Sequence, residues 1–281
     1  MRLRTTTLNP GSRAHHFIRR LSLFRKSSGA QLCRFGPVTV ALNLSEPVHR
    51  AIYLSGEFET ELARVLTRVV RSGDVFLDIG ANVGWHTLNL LKSRRDVLMA
   101  YAVEPQQRNF DLLMLGVRAN KLETRCDARR LAIASEGGKI TLKRFQGLDS
   151  MHTSAYPLGD LPYDEEEVAC ETVDELVSTF KAPPAVIKCD VEGSELSVLQ
   201  GAQETLSGKN GTPPIWFMEA NYETSAMAGY FPWDLAGLSS GYGYRPYAMR
   251  GGGIAPVAPK GLRHGDVLVL AVPEIHGSRL K

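Results

Sequence analysis

Two short blocks of this chain carry residue types suited to holding a ligand. Asp78-Ile79-Gly80-Ala81-Asn82-Val83-Gly84 closes an apolar run with two glycines four residues apart. Glycine permits a tight turn and close backbone approach, and a helix starting there offers free N–H groups to a polar or anionic group. Glu104-Pro105 closes a second apolar run 20 residues beyond Gly84, where nucleotide-binding folds place an acid that accepts ribose hydroxyls. The pair implies an adenosine-type ligand, with nicotinamide and S-adenosyl cofactors as the two candidates. The turn lacks the middle glycine that a dinucleotide pyrophosphate requires. Taken singly, the glycines also fit a merely tight turn, and Glu104 a carboxylate at a helix N-terminus.

Two further blocks carry acids. In Lys188-Cys189-Asp190-Val191-Glu192-Gly193-Ser194-Glu195, Asp190 and Glu192 share one face while the backbone stays extended. They suit general-base work, a divalent cation with oxygen ligands, or simple capping of the next helix. Lys188 either takes part or pairs with a carboxylate and holds it. Glu219-Ala220-Asn221 ends a later strand and is expected to turn a carboxylate and an amide toward the same crevice. Asp190 is the first choice for the general base or the group that orients the acceptor, and Glu219 the second. His86 and His152 are weaker candidates, because a lone histidine in a helix turn or loop is more often structural.

These blocks need a scaffold of alternating strands and helices. Val75 to Ile79, Leu98 to Val103, Ala185 to Cys189 and Ile215 to Ala220 are short apolar runs of the kind buried on both faces of a parallel sheet. Leu62, Val65, Leu66, Val69 and Val70 repeat with helical period opposite Arg64, Arg68 and Arg71, and helices follow Gly84 and include Phe110 to Val117 and Leu196 to Leu206. Thr172 and Glu175 form a capping box. A β-hairpin is expected between Phe35 and Leu54, strands at 130–135 and 139–145, a polar loop at 146–167, and closing strands at Tyr244 to Met249 and Asp266 to Val272. The fold class is α/β, a mostly parallel doubly wound Rossmann-like sheet with a C-terminal antiparallel strand and a short N-terminal extension. Ligands of such sheets bind outside the carboxyl ends of the strands.

At these blocks, together with Val198-Leu199-Gln200-Gly201-Ala202, Tyr53 to Glu59 and Glu171 to Leu176, the sequence resembles the FkbM-type S-adenosylmethionine-dependent methyltransferases over residues 36–272. The resemblance implies a class I methyltransferase sheet, S-adenosylmethionine as cofactor and usually an oxygen acceptor, here a hydroxyl of a small molecule, sugar or natural product. Asp78, Gly80, Asn82, Gly84, Glu104 and Asp190 are the cofactor-binding candidates, Asp190, Glu219 and Lys188 the catalytic ones, and no metal ligand is assigned. The chain divides into a basic extension, 1–34, and an FkbM-type domain, 35–281. An NAD-dependent oxidoreductase is disfavoured by the missing glycine and by the lack of a Ser/Tyr-x-x-x-Lys pattern; a non-catalytic nucleotide-binding protein is disfavoured by the acids at the strand ends.

Charge distribution narrows the partners. Residues 1–45 hold eight Arg or Lys and no acid, whereas the other 236 residues hold 25 basic and 30 acidic side chains. A mildly acidic body argues against nucleic acid. Phe17, Leu21 and Phe24 amid five basic residues fit an accessory amphipathic helix, an organellar transit peptide or a membrane-surface anchor. No apolar stretch reaches the ~20 residues that span a bilayer. Four scattered cysteines without a CxxC pair are expected to be reduced thiols in the cytoplasm.

Overall fold

A hairpin opens the folded chain in the computed structural model, which describes residues 29–145, 153–154 and 162–281. β1 (Ala30–Phe35) and β2 (Val38–Asn43) pair antiparallel around Gly36. The hairpin therefore precedes the expected position: Leu32, Cys33 and Phe35 are buried in β1. Residues Pro47–Ser55 form helix α1 instead, with Pro47 at its first turn and His49, Ile52 and Tyr53 buried. α2 (Thr60–Val69) buries the predicted stripe Leu62, Val65, Leu66 and Val69.

The wound core follows as β3 (Val75–Ile79), α3 (Trp85–Ser93), β4 (Met99–Val103), α4 (Gln107–Ala119) and β5 (Cys126–Arg129). A small sheet then interrupts it: β6 (Ala132–Ile133), β7 (Gly138–Phe145), β8 (Thr153–Ser154) and β9 (Tyr163–Glu171), in spatial order β6-β9-β7-β8. β9 corrects the loop expected through Glu167. Its four consecutive acids, Asp164 to Glu167, hide any alternation, yet across the antiparallel pair Glu165 stands opposite Lys143, and Lys139, two register positions from Glu167, meets its carboxylate at 2.6 Å.

The chain returns through α5 (Val173–Ser178), β10 (Val186–Cys189), α6 (Glu195–Gln200), α7 (Gln203–Ser207), β11 (Ile215–Ala220), α8 (Tyr222–Met227) and α9 (Pro232–Ser240). It closes with β12 (Arg245–Arg250), β13 (Gly253–Pro256), β14 (Asp266–Ala271) and α10 (Pro273–His276). The Thr172–Glu175 capping box forms as expected. The helix expected over Leu196 to Leu206 is two helices, because a Cβ on Gly201 would stand 2.3 Å from the Ala134 carbonyl oxygen and Asp174 caps α7 through Glu204 and Thr205 N–H, both at 2.8 Å.

The main sheet runs β13-β12-β14-β11-β10-β3-β4-β5. β11, β10, β3, β4 and β5 are parallel, and β14 is the antiparallel strand between β11 and β12. Alternate residues feed two cores. Phe76, Ala100 and Phe217 face the hairpin and α2 to α4, while Leu77, Ile187 and Trp216 face α5, α6, α7 and α9. Sequence proceeds outward from β3 to β5 on one side and from β10 to β11 on the other, so strand order reverses between β3 and β10. Among the described residues no helix is long and apolar enough to cross a membrane.

Candidate active site

Where β3 and β10 part, their carboxyl ends open a cleft with about 1040 Å³ of empty space, counting its solvent-filled mouth. Gly80 sits at its floor with φ 73°. A Cβ there would lie 1.9 Å from the Asp190 carbonyl oxygen, so only glycine fits. Asn82 also takes the left-handed region, at φ 50°, which asparagine tolerates better than most residues. At Gly84, a Cβ would strike Leu113 Cδ1 at 2.4 Å, which lets α3 pack against α4.

Glu104, at the end of β4, is clamped to this turn. Its Oε2 accepts the Asn82 N–H at 2.8 Å and its Oε1 the Gln106 N–H at 3.0 Å. Each oxygen keeps a lone pair for a ligand hydroxyl. Burial pushes this carboxyl up to about 7, against the two N–H donors and Lys188, which favour the charged form.

Lys188 joins the two sides of the cleft. Its buried ammonium donates to Asp190 Oδ2 at 3.2 Å and to the Gly80 carbonyl at 3.4 Å, and lies 3.6 Å from Asp78 Oδ1. Burial alone would favour the neutral amine, but Asp190, Asp78 and Glu59 outweigh it and hold Lys188 above the ordinary lysine value. It is a fixed cation rather than a base. Asp78 does not line the cleft: it is fully buried beneath, takes the Thr87 hydroxyl hydrogen bond at 2.6 Å, and anchors Lys188 and α3.

Three carboxylates converge at the strand ends. One oxygen each from Asp190, Glu192 and Glu219 lies within 4.8 Å of the others, all half-buried. Glu192 joins them although its φ of 51° ends the extended run. Such a cluster can accept hydroxyl protons or, in principle, surround a cation. Burial, then Asp190, Glu195 and Glu59, push Glu219 up to about 8 despite Lys188. The loop is stapled by Glu195, whose carboxylate accepts Val191 N–H at 3.0 Å, Gly193 N–H at 3.1 Å and the Tyr230 hydroxyl at 2.6 Å. The Asn221 amide, expected to face the crevice, is used locally instead: its oxygen caps α8 through Glu223 and Thr224 N–H.

Sequence reasoning gave Glu59 no role. Its carboxylate lies 2.7 Å from His86 Nε2, and it sits at φ 43°. Burial acts to raise it, but His86 and Lys188 hold it below the usual glutamate value. His86 lines the cleft, so one of the two weaker histidine candidates does reach the site. His152 lies outside the described residues. The only advance signal for the pair was Glu59's place in the Tyr53-to-Glu59 lead-in, 27 residues before His86.

The sequence profile of the methyltransferase FkbM domain matches residues 78–245. The chain belongs to the FkbM methyltransferase family. Within this FkbM domain fall the Gly80–Gly84 turn, Glu104, Lys188 and the three converging carboxylates, Asp190, Glu192 and Glu219; the hairpin, α1, Glu59, α2 and the first residues of β3 precede the matched region. The chain is 28% identical over 155 residues to the hexuronic acid methyltransferase AglP of Haloferax volcanii, a match covering 54% of this chain and 59% of that protein. It thus spans under two thirds of that relative's length. Among solved structures, methyltransferase FkbM from Methylobacillus flagellatus KT aligns over 79% of this chain and 52% of its own, with TM-score 0.46 and 16% identity. Precorrin-6y C5,15-methyltransferase from Geobacter metallireducens GS-15 aligns over 75% and 86%, with TM-score 0.40 and 8% identity.

Proposed function

We propose that this FkbM domain transfers the methyl group of S-adenosylmethionine to a hydroxyl oxygen of a sugar-linked acceptor. The observation that carries the reading is Glu104, which the Asn82 and Gln106 N–H groups hold at the floor of the switch-point cleft with two lone pairs left for the two ribose hydroxyls. Asn82 Oδ1, buried and without a hydrogen-bond partner among the described residues, fits a polar ligand group at the same turn. The acids around the cleft, with Lys188 the one buried lysine or arginine in contact with them among the described residues, suit a positively charged ligand.

When bound, S-adenosylmethionine supplies an electrophilic methyl carbon on a sulfonium. This chain's residues bind it, bring the acceptor oxygen into line and take a proton. Gly80 and Gly84 let the backbone approach the donor, and Glu104 orients its ribose. Asp190, locked to Lys188, is better suited to orient the acceptor hydroxyl than to remove its proton. Glu219, with an affinity for protons close to the working pH, is the better base. Of the two roles the sequence leaves open to Asp190 this keeps the orienting one and moves the base to Glu219, and the reason is the Lys188 pairing. The sugar-linked acceptor draws support from AglP, which is named for methylation of hexuronic acid.

The test is incubation with methyl-labelled S-adenosylmethionine and a panel of hexoses, hexuronic acids and their methyl glycosides, with the product's new methyl located by NMR. An O–CH₃ signal on a sugar is expected. Label that appears only on nitrogen or carbon, or no transfer to any of these acceptors by a protein that binds the donor, overturns the assignment.

A further inference from the structure

Beside the carboxylate cluster, and outside the lining of the cleft, lies a group of aromatic side chains. Tyr222, the first residue of α8, meets Trp233 edge-on with ring centroids 5.8 Å apart at 62°, and Phe231 stacks on the same indole at 4.5 Å and 15°. Tyr222 is held in place, its hydroxyl donating to the Leu262 carbonyl at 2.9 Å. The group is open to solvent at one side: Phe231 is 45% exposed and Met227, four residues earlier in the chain, 52%, while Tyr222 and Trp233 are half-buried. Aromatic rings stabilise a protein chiefly when buried, and a clustered, solvent-facing group of them marks a binding surface.

The surface adjoins the carboxylates. Tyr222 comes three residues after Glu219 in the chain. A Cβ on Gly193 would stand 2.7 Å from the Thr224 carbonyl oxygen, so α8 lies directly against the loop that carries Asp190 and Glu192. Tyr230, next to Phe231, donates its hydroxyl hydrogen bond to Glu195, the first residue of α6 directly after that loop. Aromatic faces and hydroxyl acceptors are thus side by side. A hexopyranose presents the matching pair of chemistries: a face of C–H bonds, whose slightly positive hydrogens are drawn to the negative ring faces, and an edge of hydroxyls that carboxylates accept. A purely apolar partner would make no use of the adjoining carboxylates, and a ring bearing its own carboxylate would meet like charge.

We propose that Tyr222, Phe231 and Trp233 form the subsite for a neutral hexose ring of the acceptor, presenting its hydroxyls to Asp190, Glu192 and Glu219. The inference deepens the sugar-methyltransferase reading above and rests on it.

The experiment uses the full chain saturated with S-adenosylhomocysteine and titrated with methyl α-D-glucopyranoside, mannopyranoside, galactopyranoside and glucuronoside, followed by saturation-transfer NMR and calorimetry. At least one neutral hexoside should bind, with saturation on its ring C–H protons, and more tightly than the glucuronoside. Trp233→Ala should weaken that binding about 10-fold without changing S-adenosylhomocysteine affinity. Because Trp233 is partly buried, the exposed Phe231→Ser serves as a second variant, expected to weaken binding in the same direction. Three results overturn the proposal: no neutral hexoside bound, wild-type affinity in both variants, or a dimer that Trp233→Ala dissociates and that binds no hexoside. Hexoside binding by a protein that fails to take S-adenosylhomocysteine would instead sink the methyltransferase reading and leave the subsite standing.

Discussion

Replacing Glu104 with glutamine should weaken S-adenosylhomocysteine binding at least ~30-fold. The carboxylate accepts two backbone N–H groups, from Asn82 at 2.8 Å and Gln106 at 3.0 Å, and a ribose would take the remaining lone pairs. Glutamine keeps one acceptor oxygen and turns an NH₂ toward the other N–H. One backbone donor then loses its partner and at least one ribose bond is lost. Hydrogen bonds to charged groups are worth ~1.5–3 kcal/mol each, so a loss of ~2–4 kcal/mol is expected, and 1.4 kcal/mol is tenfold in affinity. Protonation gives a second signature. Glu104 is raised from 4.5 to about 7 by burial, so its accepting, charged form grows as pH rises through 7. Wild-type affinity should therefore climb from pH 6 to pH 8, and the Gln variant should lack that climb. The same shift costs the ligand-free protein stability as pH rises from 4.5 to 7, because over that range the native carboxyl keeps a proton that the unfolded one has released; the Gln variant should lose this slope as well. Calorimetry at pH 6, 7 and 8, with circular dichroism to verify folding, reads both signatures. A folded variant with wild-type affinity at all three pH values would refute the assignment.

Lys188→Met removes the cation that offsets Asp78 and Asp190, and leaving a buried carboxylate unpaired should lower stability by ~3–5 kcal/mol; an unchanged urea midpoint would contradict this. Glu219→Gln should lower methyl transfer by the ~10²–10⁴ of a lost general base, with S-adenosylhomocysteine affinity preserved. Since burial and neighbouring acids raise Glu219 to about 8, wild-type turnover should increase with pH up to about that value, and the variant should lose this limb. Excess EDTA should leave turnover unchanged, because Asp190 is engaged by Lys188 and hydrogen bonding suffices for the carboxylate cluster. Loss of activity in EDTA that magnesium restores would convert the cluster into a metal site.

The fold was most legible where burial writes a simple pattern. β3, β10 and β11 are apolar runs buried on both faces, and α2 carries an unbroken 3.6-residue stripe. β9 was not legible, because its acids Glu167 and Glu165 are matched by Lys139 and Lys143, 28 and 22 residues away on β7, a relation that no local window contains. The break at Gly201 depends on the approach of Ala134 from a distant segment. The site divides in the same way. The Gly80–Gly84 turn, Glu104 and Asp190 follow directly from strand ends, whereas the Glu59–His86 contact, the capping use of Asn221 and the Lys188 bridge between Asp78 and Asp190 exist only once α2, α3, β3 and β10 are packed together.

Calorimetric titration of the wild-type chain with S-adenosylmethionine, and in parallel with NAD, tests whether this cleft is a methyl-donor site. The cleft geometry predicts one S-adenosylmethionine bound per chain, displaced by S-adenosylhomocysteine, and no heat with NAD. A folded protein that binds NAD and ignores S-adenosylmethionine would contradict it.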